Sequence, residues 1–144
     1  MNPVRLVLVL LLMACGSNDA DHNWSPEEIG NAEYVFTALQ ADRRAAQIEN
    51  LGEAGFDDPG EEEASLEHRQ RALDASRSVR DDVLDKAHPA LRAHFRGEFE
   101  RSQELFLRAR REQRADLETE AIQLRNAFGD WWVRHRDQVV VPSL

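Results

Sequence analysis

The chain is poor in several residue types. It has one cysteine, one lysine and one tyrosine in 144 residues, with seven glycines and five prolines. A single cysteine, Cys15, excludes an internal disulfide. So little glycine and proline excludes collagen-like and low-complexity classes. The longest run of large apolar residues, Leu6–Met13, is eight residues. As a helix it reaches about 12 Å, against the roughly 30 Å of a hydrocarbon core, so it is too short to span a bilayer. Basic excess is also missing. The formal net charge is −9, and a nucleic-acid binder is expected to present a basic face.

The charge that is present is unevenly spread. Residues 15–63 carry 13 acids against Arg43 and Arg44, whereas residues 64–144 carry 14 acids against 15 bases. An acidic amino-terminal third is repelled by anionic lipid, so the polypeptide surface is not expected to hold the chain to a membrane.

The first 15 residues have a separate character. Eleven of the first 14 are apolar, after a start that includes Arg5. A basic start, a short apolar run and a small residue at a cut site are the parts of a secretory signal peptide. The run ends Leu12-Met13-Ala14-Cys15-Gly16 and resembles the lipobox of bacterial lipoproteins. That resemblance covers the signal region only and names no functional family. It implies cleavage between Ala14 and Cys15, lipid on the Cys15 thiol and acylation of the new amino terminus. Several acyl chains give stable anchoring at about 0.8 kcal/mol per buried methylene. Gly16 stands where an aspartate often retains such proteins at the inner membrane, which implies the outer membrane, facing the periplasm.

Gly16–Asn23 has no periodicity and reads as a tether of at most about 28 Å. Ser25, Pro26 and Glu28 then make a helix start with a capping box, and Trp24 and Ile29 have the spacing of a hydrophobic staple. Ile29, Ala32, Phe36 and Leu39, then Ala45, Ile48 and Leu51, predict one apolar face, with Gly52 as its stop. Residues 52–61 read as a loop. Asp57 and Asp58 lack the alternating acids and closing Glu of a calcium loop. A second helix is expected over 62–87 on Leu66, Leu73, Val83 and Ala87, interrupted by Arg69, Ser76 and Arg80, and ended by His88-Pro89.

Beyond Pro89, Leu91, Phe95, Phe99, Ser102, Phe106 and Ala109 form one helical line. Leu117, Ala121, Leu124, Phe128, Trp131 and His135 form another. One helix over 89–137 would be about 73 Å long with little to cover it, so a split near Arg114-Ala115-Asp116 is preferred. The expected fold is therefore all-α: a small antiparallel four-helix bundle, with three helices and a long last one as the alternative. The expected layout is a signal peptide at 1–14, lipidated cysteine and tether at 15–24, and a helical domain at 25–144. The closing Gln138–Leu144 reads as a strap across one end or as a tail captured by a partner.

Chemical motifs are scarce. The histidines are His22, His68, His88, His94 and His135, and none forms the Glu-x-x-His pairs of di-iron bundles or an HExxH zinc motif. No CxxCH haem motif occurs, and no serine sits in G-x-S-x-G. The expectation is no enzyme, no metal and no cofactor. Arg108, Arg110, Arg111 and Arg114 read as a surface cluster paired with nearby glutamates. Trp131 reads as core. Trp132, with Arg134 and His135, is the candidate surface for a protein partner in the cell envelope.

Overall fold

The computed structural model describes residues 23–51 and 59–142. Cys15 and the lipobox, Asp57 and Asp58, and the last two residues lie outside the described residues. The described chain is helical throughout, without a strand. The helices are α1 (Pro26–Leu51), α2 (Pro59–Ser78), α3 (Asp81–Ala87) and α4 (Leu91–His94). A π-helical segment, Phe95–Glu100, leads without a break into α5 (Arg101–Glu112). Then come α6 (Ala115–His135) and a 3₁₀ turn, Arg136–Gln138. None of these helices is long and apolar enough to cross a membrane.

The start of α1 is as its sequence dictates. The Glu28 N–H donates to Ser25 Oγ at 3.1 Å, and the Ser25 N–H donates to Glu28 Oε2 at 2.9 Å. This reciprocal box satisfies two donors that a helix start leaves open. Trp24 is buried, and Ile29 packs against the same core cluster. The face that α1 buries matches the expected one at Ala32 and Ala45, with Ile29 and Leu39 packed at its edge, but not at Phe36. Ala32, Val35, Ala38, Ala41 and Ala45 are inside, and Phe36 is 43% exposed. The small residues let α2 approach closely, and α1 and α2 make the most extensive helix pairing.

The expected helix over 62–87 is broken at Val79-Arg80, with Arg80 extended (φ −78°, ψ 144°). The backbone groups freed by the break find side-chain partners. Asn31 of α1 donates Nδ2–H to the Ser78 carbonyl at 2.8 Å and accepts the Arg80 N–H at 2.8 Å. Arg96 donates to the Ser76 carbonyl at 2.6 Å and also to the Val79 carbonyl. His88 then ends α3, its backbone N–H bonding to the Leu84 carbonyl.

The split after α5 falls at Gln113, which takes the left-handed conformation (φ 53°, ψ 47°). The Arg114 N–H bonds the Ala109 carbonyl at 2.9 Å and the Gln113 N–H bonds the Arg110 carbonyl. This is a Schellman ending with glutamine where glycine is usual. A single helix over 89–137 is thereby excluded. Side-chain pairs fix the helix directions. Asn31 meets Ser78, Asp42 meets Arg69, and Glu49 meets Ser65, so α1 and α2 run antiparallel. Phe99 meets Phe128 and His94 meets Trp131, so the 91–112 rod and α6 do the same.

The core has two apolar parts. One holds Trp24, Val35, Val79, Leu84, Phe95, Phe99, Phe128 and Trp131 among its buried residues. The other, near the α5–α6 turn, holds Leu105, Phe106, Ala109, Leu117 and Ala121. Both sequence lines of the carboxy-terminal half are thus core. The strap reading holds for 139–142: Val139 and Val141 pack on the first cluster, and the Val140 N–H bonds the Ala87 carbonyl at 3.1 Å.

Candidate functional site

Between the two apolar parts lies a polar tier. On each long helix it occupies the stretch where apolar core residues give way. Arg69 of α2 is at its centre and is only 1% exposed. Its Nη1 donates to Asp42 Oδ1 at 2.5 Å and to Gln103 Oε1 at 3.0 Å. Its Nε and Nη2 grip both oxygens of Glu49 at 3.0 and 2.6 Å. The Arg69 guanidinium also lies over the Phe106 ring, 3.9 Å from its centroid, a cation–π geometry. Gln103 of α5 donates to Asp42 Oδ1 at 2.9 Å, and Ser65 donates to Glu49 Oε1 at 2.8 Å. From α6, the Arg125 Nε spans both Asp42 oxygens at 2.8 and 3.1 Å. Two carboxylates thus meet two guanidiniums, and all four long helices contribute.

Asp42 shows how the balance falls. Burial works to raise its carboxyl above the ordinary range. The Arg125 hydrogen bond, the Arg69 and Arg125 charges and the Gln103 hydrogen bond overcome this and hold it low. Arg125 is pushed the other way from its ordinary value. Burial works against its charge, but the Asp42 hydrogen bond and the Asp42 and Glu49 charges prevail.

The tier opens to solvent on one side. The backbones of α1 and α6 barely approach each other, although Arg125 reaches across to Asp42. Between them is an open recess of about 450 Å³. Leu39, Phe99, Phe128, Trp132 and Val133 supply its apolar wall. Asp42, Arg43, Arg125, Asn126 and Asp130 supply its polar one. Gly129 also lines it, and a Cβ added there meets nothing within 4 Å. Arg43 makes no hydrogen bond or ion pair with the described residues, and the Arg125 Nη groups make none.

The three residues of the candidate partner surface have different surroundings. Trp132 is half-buried, stacks on Phe128 at 5.9 Å and lines the recess. Arg134 is exposed and donates from Nε to the Asp130 carbonyl at 3.1 Å. His135 stacks on Trp131 at 4.9 Å, with Nδ1 2.8 Å from the Trp131 carbonyl, so Nδ1 carries the proton. His94 stacks on Trp131 at 4.5 Å and His88 meets its edge at 5.4 Å. Trp131 is therefore enclosed by three imidazoles. Among the described residues no group of three His, Cys, Asp or Glu is placed to hold a metal ion.

The arginine cluster is paired as its sequence suggests at Arg108, whereas the shortest pairs of Arg110 and Arg114 are with Glu62 of α2 and with Asp116. Arg108 bonds Glu112 at 3.2 Å, Arg110 bonds Glu62 at 3.0 Å, and Arg114 bonds Asp116 at 2.5 Å. Sequence reasoning passed over Asp42, Arg43, Gln103 and Arg125, and treated Arg69 and Ser76 as interruptions. The one available signal was positional. On α5 and α6 a polar residue, Gln103 or Arg125, stands between two apolar stretches, and Asp42 and Arg69 meet them at the same level.

The fold and site together define an all-helical packed domain with a polar tier in its core and one open side. Neither a family model, nor a curated protein, nor a solved structure matches the chain.

Proposed function

We propose that this chain is a lipoprotein of the bacterial envelope, anchored through Cys15, that acts as a non-enzymatic adaptor or assembly factor for a protein partner. The lipobox-like Leu12-Met13-Ala14-Cys15 supports the anchor, and Gly16 supports the outer membrane, facing the periplasm. We read the helices as an antiparallel four-helix bundle in which the seam between first and last helices is left unsealed. The observation that carries the adaptor reading is the apolar lining of that seam. Phe36 lies one turn before Leu39 on α1, while Ile122 and Val133 lie on the recess-facing line of α6; all three are exposed, Val133 by 64%. Half-buried Trp132 stands between them as an anchor of the type that dominates binding energies. Exposed apolar residues grouped along one opening mark an interaction surface better than the same residues scattered.

A photo-crosslinking residue in place of Val133 in membrane-bound protein is expected to give a discrete adduct. The same residue in place of Arg77, which is exposed on α2, is expected to give none. Equal labelling at both positions, or none at Val133, overturns the adaptor reading. Cys15→Ser is expected to release the protein from membranes and abolish palmitate labelling. A variant still held at the membrane overturns the anchor.

A second reading, a carrier of a small ligand, is favoured by one specific observation: the recess itself, whose volume is in the roughly 300–1,000 Å³ range of ligand sites.

A further inference from the structure

The recess combines an immobilised guanidinium, one with no partner among the described residues, and aromatic side chains. Arg125 is fixed through Nε by Asp42, and Asp42 is itself held by Arg69 and Gln103. This leaves the Nη edge of Arg125, a planar fork suited to a carboxylate. Fixing the guanidinium in advance removes much of the ordering cost that binding would otherwise incur. Arg43 brings a second cation to the same recess, with no partner of its own among the described residues. Along the same recess, Phe128 and Trp132 are stacked on each other, with Leu39 and Val133 also in the lining. Asp130 sets a limit on the charge of an occupant. The Arg125–Asp42–Arg69–Glu49 set is neutral within itself, so Arg43 and Asp130 remain, one of each sign. A polyanion would be opposed by Asp130, whereas a single carboxylate has two guanidiniums to meet.

We infer that this recess is a binding site for a small free monocarboxylate with an apolar, preferentially aromatic, body. The carboxylate is bound by Arg125 and Arg43, and the body lies against Phe128 and Trp132. This site goes beyond the adaptor reading and does not require that a protein docks on the same side. Gly129 keeps the space open. Its backbone is helical and a Cβ there is unobstructed, so a larger side chain enters the recess instead of the core.

The test is equilibrium dialysis of the full chain in lipid nanodiscs, with empty nanodiscs as the blank. The probes are 4-phenylbutyrate, the uncharged 4-phenylbutan-1-ol and 4-phenylbutylammonium. Binding of the carboxylate at millimolar concentration or below, with the other two weaker by about tenfold or more, is the expected result. Gly129→Leu is expected to abolish that binding while circular dichroism shows the helices intact. Arg43→Gln, which removes no hydrogen bond seen in the structure, is expected to weaken it about tenfold. No binding of 4-phenylbutyrate at millimolar concentration overturns the inference. So do equal binding of the alcohol, and binding unchanged in a folded Gly129→Leu variant. Because dialysis involves no partner, a failure here leaves the Val133 crosslink untouched, and a failed crosslink leaves the dialysis result untouched.

Discussion

The two apolar parts of the core are built differently. The part holding Trp24 and Trp131 draws on both ends of the described domain and on every α-helix but α5, and packs Phe95, Phe99, Phe128 and Trp131 ring against ring. The part near the α5–α6 turn is smaller, aliphatic apart from Phe106, and comes from α5 and α6 alone. There α1 and α2 offer alanine and polar or charged groups: Ala45, Glu49, Ser65 and Arg69. Apolar burial is strong but non-directional, and tolerates sliding of one helix along another. A guanidinium held by two carboxylates and an amide is directional. In this molecule, therefore, the aromatic part supplies most of the cohesion, and the polar tier sets the level at which the α1–α2 pair meets the α5–α6 pair.

The most severe test of this division is Asp42→Ala. It leaves Arg69 without one carboxylate and Arg125 without the one it has among the described residues, and loss of one partner from a buried ion pair costs about 3–5 kcal/mol. Urea unfolding is expected to show a loss of that size. A loss below about 1 kcal/mol would mean the tier contributes little. Replacing Asp42, Glu49, Arg69, Gln103 and Arg125 together by leucine or methionine is expected to restore stability, because well-packed apolar residues often equal or exceed a buried ionic set. If the tier sets register, that variant keeps its helix content but loses sharp, dispersed NMR signals.

Next in size is the contrast between the two apolar parts. Phe128→Ala removes a ring in contact with Phe95, Phe99, Trp131 and Trp132, and is expected to cost about 3–5 kcal/mol. Leu117→Ala, beside the turn, is expected to cost nearer 2 kcal/mol, since a site at the edge collapses more easily. Trp132→Ala is expected to cost less than Trp131→Ala, because Trp132 borders the recess. Equal melting-temperature losses for Phe128 and Leu117 would erase the distinction.

A smaller effect concerns pH. The folded state holds Asp42 below its ordinary value of 3.8. On acidification the unfolded chain takes up this proton first. Stability contributed by Asp42 is therefore complete above about 3.8 and is lost as pH falls through the lower folded value. Glu28, Asp82 and Asp116 are lowered as well, by Lys86, Arg80 and Arg114 respectively, but Asp82 and Asp116 are exposed and Glu28 is only half-buried. Acid titration of stability for Asp42→Asn is expected to be flatter than for the unaltered chain, and the difference isolates Asp42. The smallest effect is Ser25→Ala, about 1 kcal/mol from the loss of the cap, read in thermal melts.

What was legible in the sequence follows from which signals are local. The Ser25 box, the line from Leu91 to Ala109 and the line from Leu117 to His135 are encoded by neighbours in the chain, and each is present. The split near Arg114 was legible from the polar stretch around it, although the device that makes it, Gln113 in a left-handed conformation, was not. The break at Val79-Arg80 was illegible because its partners, Asn31 and Arg96, lie 49 and 16 positions from Arg80. Phe36 was misplaced because the inner face of α1 is mostly alanine, which gives a weak periodic signal. Arg69 looked like an interruption because reading by pattern assigns charge to the surface. Here burial is permitted by three partners that the sequence separates by 20–34 positions. Of the recess, only Trp132 was legible.

The strap has a consequence for topology. Trp24 and the Val139–Val141 stretch pack on one cluster, so the two ends of the folded domain meet at the same place. A short linker can join them, and new ends can be opened in the connection over 52–58, between α1 and α2. Circular permutants of helical domains are tolerated where the chain ends are close and the new cut falls outside the helices. In such a permutant α1 follows the strap directly, and the antiparallel α1–α2 pairing forms late in the sequence order instead of first. The same final fold would then be reached with its most extensive helix pair made its most distant one in sequence.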